Sequence, residues 1–154
     1  MKIVIAGVSG SGKSTIAKLL AERLGCDFAD ADDFHPPANI AKMSAGIPLD
    51  DADRAGWLDA LGGFLADKAD VVLACSALKR IYRERLRDLG GPLEFIVLTV
   101  DPPTIRGRMA ERRHFMPASL LESQLATLEL GDDVVVIGND GPPDDVVAKV
   151  EACL

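Results

Sequence analysis

Uninterrupted apolar runs of strand length alternate along this chain with longer stretches in which apolar residues recur every three or four positions. Lys2–Ala6, Val71–Cys75 and the β-branched run Leu93–Val100 are the long ones, and Cys26–Ala29 and Val134–Ile137 are shorter candidates. Strands that are apolar on both faces belong in a parallel sheet covered on both sides, because a half-exposed strand would alternate. Between them, Lys13–Leu24 carries Ile16, Leu19, Leu20 and Leu24 at helical spacing and stops at Gly25. Asp50–Asp67 opens with acids that suit the positive end of a helix. Ala77–Leu89 reads as a basic helix ending at Gly90 and Gly91, and Pro102–Glu129 as two helical pieces broken around Arg113–Pro117. Pro142–Ala152 closes the chain, with proline at its start. The expected fold is α/β, a single domain over residues 1–154 with five parallel strands between helical layers.

The chain has 154 residues, 48% of them hydrophobic and 27% charged, an ordinary globular composition that excludes overall disorder. Its 17 basic and 24 acidic residues give a net charge of −7. That balance argues against a nucleic-acid or anionic-membrane footprint, while leaving room for a local cationic site. No segment approaches a membrane span, and the N-terminal MKIVIAGVSG lacks the features of a signal peptide. Cys26, Cys75 and Cys153 are far apart and set among apolar neighbours, which reads as buried free thiols in the cytoplasm.

One motif changes the picture. Gly7-Val8-Ser9-Gly10-Ser11-Gly12-Lys13-Ser14 fits G-x-x-x-x-G-K-[ST] and lies between an apolar strand and a helix. Average composition produces that string by chance in about one such chain in 200. Glycines let successive backbone N–H groups turn inward around phosphate oxygens, and the following helix points its positive end at the same anion. Lys13 is expected to reach the β- and γ-phosphates of a nucleotide and Ser14 to hold Mg²⁺. No N-K-x-D guanine-reading motif occurs. Small size and the arginines near residues 106–114 point to a small-molecule kinase with a lid, at about 104–118.

Asp30-Ala31-Asp32-Asp33-Phe34-His35-Pro36 follows a strand candidate, so its carboxylates are expected at a strand C-terminal end, where α/β sheets bind ligands. Phosphoryl transfer needs one group to orient or deprotonate the attacking hydroxyl and another to support the metal. Asp30 and Asp32 are placed to divide those tasks. No acid ends Val71–Cys75, so metal support falls to Asp30, with Asp101 as the alternative.

At this point the chain resembles a family. GVSGSGKST, the stretch Asp30–Leu58, CSALKRIYRERLR (Cys75–Arg87) and HFMPASLLESQLATLE (His114–Glu129) are similar to the corresponding segments of bacterial gluconokinases, a shikimate-kinase-like group. The likeness runs from about residue 3 to residue 130. It implies ATP-dependent phosphorylation of D-gluconate, a sheet of order 2-3-1-4-5 and commonly a homodimer. By the same resemblance, Gly7–Ser14 with Thr15 match the ATP loop, and Asp32 and His35 the substrate-facing motif. Lys42, Asp53 and Arg54 fall in the segment that follows. Ser76–Lys79 with Arg83 match a basic segment across the cleft, and Arg108 and Arg112 the lid arginines. Before His114-Phe115 the lid is one residue tighter than the family's.

These assignments suit the ligand: a sugar acid needs cations for its carboxylate, here Lys79, Arg83 and Arg54, and partners for its hydroxyls, here Asp32, Asp53 and His35. Lys79 and Arg83, four apart in the expected helix, would share a face. The remaining arginines of 80–87 read as a solvated basic face. Two alternatives stay open: a related kinase acting on shikimate, another sugar acid or a nucleoside, and an ATP-binding regulatory module without activity.

Overall fold

The computed structural model describes residues 1–111 and 121–154, with side chains described outside 109–120. Five parallel strands form one sheet in the order β2-β3-β1-β4-β5. In chain order they are β1 (Lys2–Ala6), β2 (Asp27–Asp30), β3 (Val71–Cys75), β4 (Glu94–Thr99) and β5 (Val135–Gly138). The helices are α1 (Lys13–Leu24), α2 (Pro37–Ser44), α3 (Asp51–Ala66), α4 (Arg80–Gly90), α5 (Pro102–Glu111), α6 (Leu121–Thr127) and α7 (Pro143–Ala152), with a 3₁₀ turn at Ala31–Phe34.

Because successive strand side chains point to opposite faces, each central strand feeds two cores. Val4, Ala6, Leu73, Cys75, Phe95 and Val97 pack under α3 and α4, against Trp57, Leu61, Leu65, Tyr82 and Leu86. Ile3, Ile5, Val72, Ala74, Ile96 and Leu98 pack under α1 and α7, against Ile16, Leu20, Val146, Val147 and Val150. Each valine, leucine, isoleucine and phenylalanine among them contributes about 1.5–3 kcal/mol through its burial. The register β1–β3 (Ala6 opposite Cys75) and β2–β3 (Asp30 opposite Ala74) brings the C-terminal ends of these strands level. All the polar loops described below leave from that edge.

Pro36 caps α2 and Pro37 is its first residue, where a missing N–H costs nothing. Two expectations need correction. The basic helix begins at Arg80 rather than Ala77, because Ala77 takes a positive φ of 40° that no helix accommodates. All three thiols are free, but only Cys75 is buried; Cys153 is exposed in the last turn. Among the described residues no helix is long and apolar enough to cross a membrane.

Candidate active site

The loop between β1 and α1 turns on glycines. Gly7, Gly10 and Gly12 have φ of 147°, 81° and 88°, values that admit an L side chain only with strain. Space is closed as well: a Cβ on Gly12 would stand 2.3 Å from Asn139 Nδ2, and one on Gly7 2.9 Å from the Leu98 carbonyl oxygen. Neighbouring elements hold the loop's outer side. Buried Asn139, just past β5, donates from Nδ2 to the Ser11 carbonyl at 2.7 Å. Ser9 N–H donates to Gln124 Oε1 of α6 at 2.6 Å. Arg108 reaches the same rim, donating to the carbonyls of Gly10 and Asn139 at 3.4 and 3.3 Å. Val8 is buried against Leu78, Ile105 and Leu121, and Thr15 is exposed on α1. The Ser11 hydroxyl is buried with no hydrogen-bond partner, a polar atom in a loop built for an anion.

Ser14 Oγ donates to Asp30 Oδ2 at 2.8 Å, and Asp30 Oδ1 accepts from the Asp32 backbone N–H at 3.0 Å. One carboxylate therefore joins the loop serine to the 3₁₀ turn that carries Asp32. Asp101, the alternative metal acid, is spent on capping α5 through the N–H and hydroxyl of Thr104.

Beside the loop lies a pocket whose wall includes Ser9, Lys13, Asp32, His35, Arg54 and Trp57, together with Ser76, Leu78 and Gln124. His35 stacks on the Trp57 ring at a centroid distance of 4.4 Å and 9° between planes. Asn39 Nδ2 donates to the Asp53 carbonyl at 2.9 Å and faces His35 Nδ1 at 3.3 Å. A carbonyl can only accept, so this atom is the amide nitrogen and His35 Nδ1 is the acceptor; the ring proton then sits on Nε2. Burial, aided by the Arg54 charge, pushes the His35 pKa from 6.5 down to about 4, and the ring is neutral at physiological pH. Arg54 donates from Nη1 to the Tyr82 hydroxyl at 2.9 Å and lies 5.2 Å over its ring. Tyr82 in turn donates to Asp51. Trp57 Nε1 donates to the Ala31 carbonyl at 2.7 Å, tying α3 to the turn of Asp32.

Four residues expected at the substrate are not on this wall. Lys42 donates to both oxygens of Asp53 at 2.9 Å, while Asp53 also accepts from Asp50 N–H as half of the box capping α3. This pair is a strut between α2 and α3. Lys79, the N-cap of α4, is paired with Asp51 at 3.0 Å. Arg83 is 0% exposed and bound to Asp133, not turned to the cleft. The expectation that Lys79 and Arg83 share a helical face fails because the helix starts after Lys79. Residues 104–111 of the expected lid lie in α5, while Arg112 and the remainder, 112–118, lie outside the described residues.

Pattern reading missed Asn39, Trp57, Tyr82, Gln124 and Asn139. Trp57, the one tryptophan, three residues beyond Arg54, carried the only usable signal. Tyr82, Gln124 and Asn139 act through neighbours distant in sequence.

The family described as AAA domain matches residues 3–117. A gluconokinase of Gluconobacter oxydans is 48% identical over 156 residues, covering 96% of this chain and 88% of that protein. The solved structure of a gluconokinase from Sinorhizobium meliloti is 46% identical, with a TM-score of 0.89 over 98% of this chain and 89% of that one. Shikimate kinase from Aquifex aeolicus, 19% identical with a TM-score of 0.69 over 99% of this chain and 95% of that one, shares the fold.

Proposed function

Because the chain belongs to the gluconokinase family, we propose that it transfers the γ-phosphoryl group of ATP to the primary hydroxyl of D-gluconate, giving 6-phospho-D-gluconate and ADP. The observation that carries this reading is a single pocket in which Lys13 of the phosphate loop faces Asp32, His35 and Arg54.

Backbone N–H groups of the loop and the Lys13 ammonium hold the triphosphate and neutralise the charge that spreads over the transferring group. Ser14 and Asp30 offer adjacent hard oxygen donors, the ligand type Mg²⁺ prefers, and are the residues that would hold it. When bound, Mg²⁺ neutralises phosphate charge. Asp32 accepts the proton of the attacking hydroxyl as its oxygen bonds to the γ-phosphorus. The bond to the bridging oxygen breaks, and ADP leaves with that electron pair. His35 offers its Nε2–H to a substrate oxygen, and Arg54 offers its guanidinium to the carboxylate. Arg108, at the loop rim, is placed to contact the phosphates. Lys42, Asp53 and Lys79 support the walls of the site.

The decisive experiment measures ADP formation with gluconate, shikimate, glycerate and common nucleosides. Gluconate should give the highest kcat/KM, with product phosphorylated at the primary hydroxyl. Binding of Mg·ATP with no acceptor-stimulated turnover would instead mark a regulatory module. Family membership also supports a cytoplasmic homodimer, which sedimentation of the purified protein tests.

A further inference from the structure

The strongest unexplained feature is a charged cluster that the phosphoryl-transfer chemistry does not use. Arg83 is wholly buried, yet every edge of its guanidinium is occupied. Nε donates to Asp133 Oδ2 at 2.7 Å and Nη2 to Asp133 Oδ1 at 3.2 Å. Nη1 donates to the carbonyls of Ala77 and Leu78 at 3.0 and 3.3 Å. Asp133, on the segment leading into β5, also receives Arg87, through its carboxylate at 3.4 Å and its carbonyl at 2.8 Å. A buried ion pair is a poor device for stability alone, since apolar residues of the same volume would serve as well. Its geometry instead singles out one target, the turn Ser76–Leu78.

That turn is strained and central. Ala77 holds φ at 40°, a conformation an alanine adopts only when its surroundings impose it. The Ser76 carbonyl accepts from Gly7 N–H of the phosphate loop at 3.4 Å, and Ser76 and Leu78 both line the acceptor pocket. The Leu78 carbonyl also accepts from Glu129 N–H at 2.7 Å, just beyond α6, and Glu129 returns a bond to Arg80 N–H at 3.0 Å.

We propose that Arg83 and Asp133 are a positioning pair that clamps the Ser76–Leu78 turn in its strained form, and so sets the acceptor wall and its junction with α6. The inference rests on the kinase reading of this pocket. Arg83 touches no substrate; it acts through the two carbonyls it holds. Only a planar fork can grip a carboxylate on one edge and two carbonyls on another, so lysine is not an equivalent.

The test uses Arg83→Lys and Asp133→Asn, which keep polar groups of similar size, with Arg83→Met as the harsher case. Both milder variants should raise the gluconate KM about tenfold while leaving Mg·ATP binding within about twofold, an effect expected of one lost charge-assisted contact. Hydrogen exchange at the amides of 76–79 should quicken in both. Ala77→Gly supplies the decisive control, because glycine adopts positive φ without a clamp. Placed in Arg83→Lys, it should recover most of the affinity for gluconate that Arg83→Lys loses. A merely structural pair would lower the melting temperature, leave KM unmoved and gain nothing from glycine. Unchanged gluconate KM and unchanged exchange at 76–79 in Arg83→Lys, beside an active wild type, overturn the proposal. A wild type inert toward gluconate overturns the kinase reading, and this inference falls with it.

Discussion

The two sides of the cleft are built on different plans. The phosphate side is a contiguous loop, residues 7–14, whose shape comes from glycine backbone conformations and whose outer surface is braced by Asn139, Gln124 and Arg108. The other side, proposed above to take the acceptor, has no contiguous motif. Asp32 comes from a 3₁₀ turn, His35 from the C-terminal cap of that turn, Arg54 and Trp57 from α3, and Ser76 and Leu78 from the turn before α4. Backbone recognition suits a triphosphate, whose oxygens are alike, and survives many changes of side chain around it. Side-chain recognition suits an acceptor whose carboxylate and hydroxyls must be told apart, and it depends on how several elements pack.

If that division is right, substitutions on the two sides should separate in the kinetics. Asp32→Asn should lower kcat by about 10²–10⁴-fold with Mg·ATP binding nearly intact, since it removes the proton acceptor. Lys13→Met should lower kcat by about 10²–10³-fold and weaken ATP as well, as loss of a preorganised charge does. A near-normal rate for Asp32→Asn in single-turnover assays would break the comparison at its centre.

Arg54→Met should act on the acceptor alone. Loss of a charged hydrogen-bond partner to a carboxylate costs about 1.5–3 kcal/mol, a rise in gluconate KM of roughly 10–150-fold, with ATP affinity unchanged in titration calorimetry. Tyr82→Phe should be milder. It keeps the ring beneath Arg54 but removes the hydroxyl that accepts from Arg54 and donates to Asp51. Neutral hydrogen bonds contribute about 0.5–1.5 kcal/mol, so the same KM should rise roughly 2–12-fold. Equal effects on ATP and gluconate would show that the two sides are not separable.

The smallest effect concerns pH. With the His35 pKa at about 4, the folded protein binds fewer protons than the unfolded chain, whose imidazole titrates at 6.5. His35 therefore makes stability fall as pH drops from 6.5 toward 4 and contributes no pH dependence above that window. The ring stays neutral between pH 5 and 8, so gluconate KM should show no step at 6.5. NMR titration of His35 should give the low value, and Arg54→Met should raise it by removing a nearby cation.

The legibility of the molecule follows the same division. Apolar runs located all five strands to within a residue or two; in the central β1, β3 and β4 burial on both faces leaves that signal, while the edge strands β2 and β5 are shorter and more exposed. The phosphate loop was equally plain, since a nest of backbone N–H groups has to be consecutive. Asp30 was also readable from its place at a strand end. The pocket wall was read only in part: Asp32, His35 and Arg54 line it, while Lys42, Asp53, Lys79 and Arg83 are engaged in ion pairs and are not among its lining residues.

What the amino-acid order determined by itself was therefore the parallel α/β sheet, the loop that cradles an anion, and the carboxylates at the end of β2. Only the tertiary structure decided which cations face the pocket. A side chain's direction depends on where its helix begins, and α4 begins where the strained turn at Ala77 lets it, three residues later than its pattern suggests. That shift makes Lys79 an N-cap, while Arg83, inside the helix, is buried against Asp133, a partner fifty residues away. No local pattern records such a pairing, because its cause is the packing of α4 against the segment before β5.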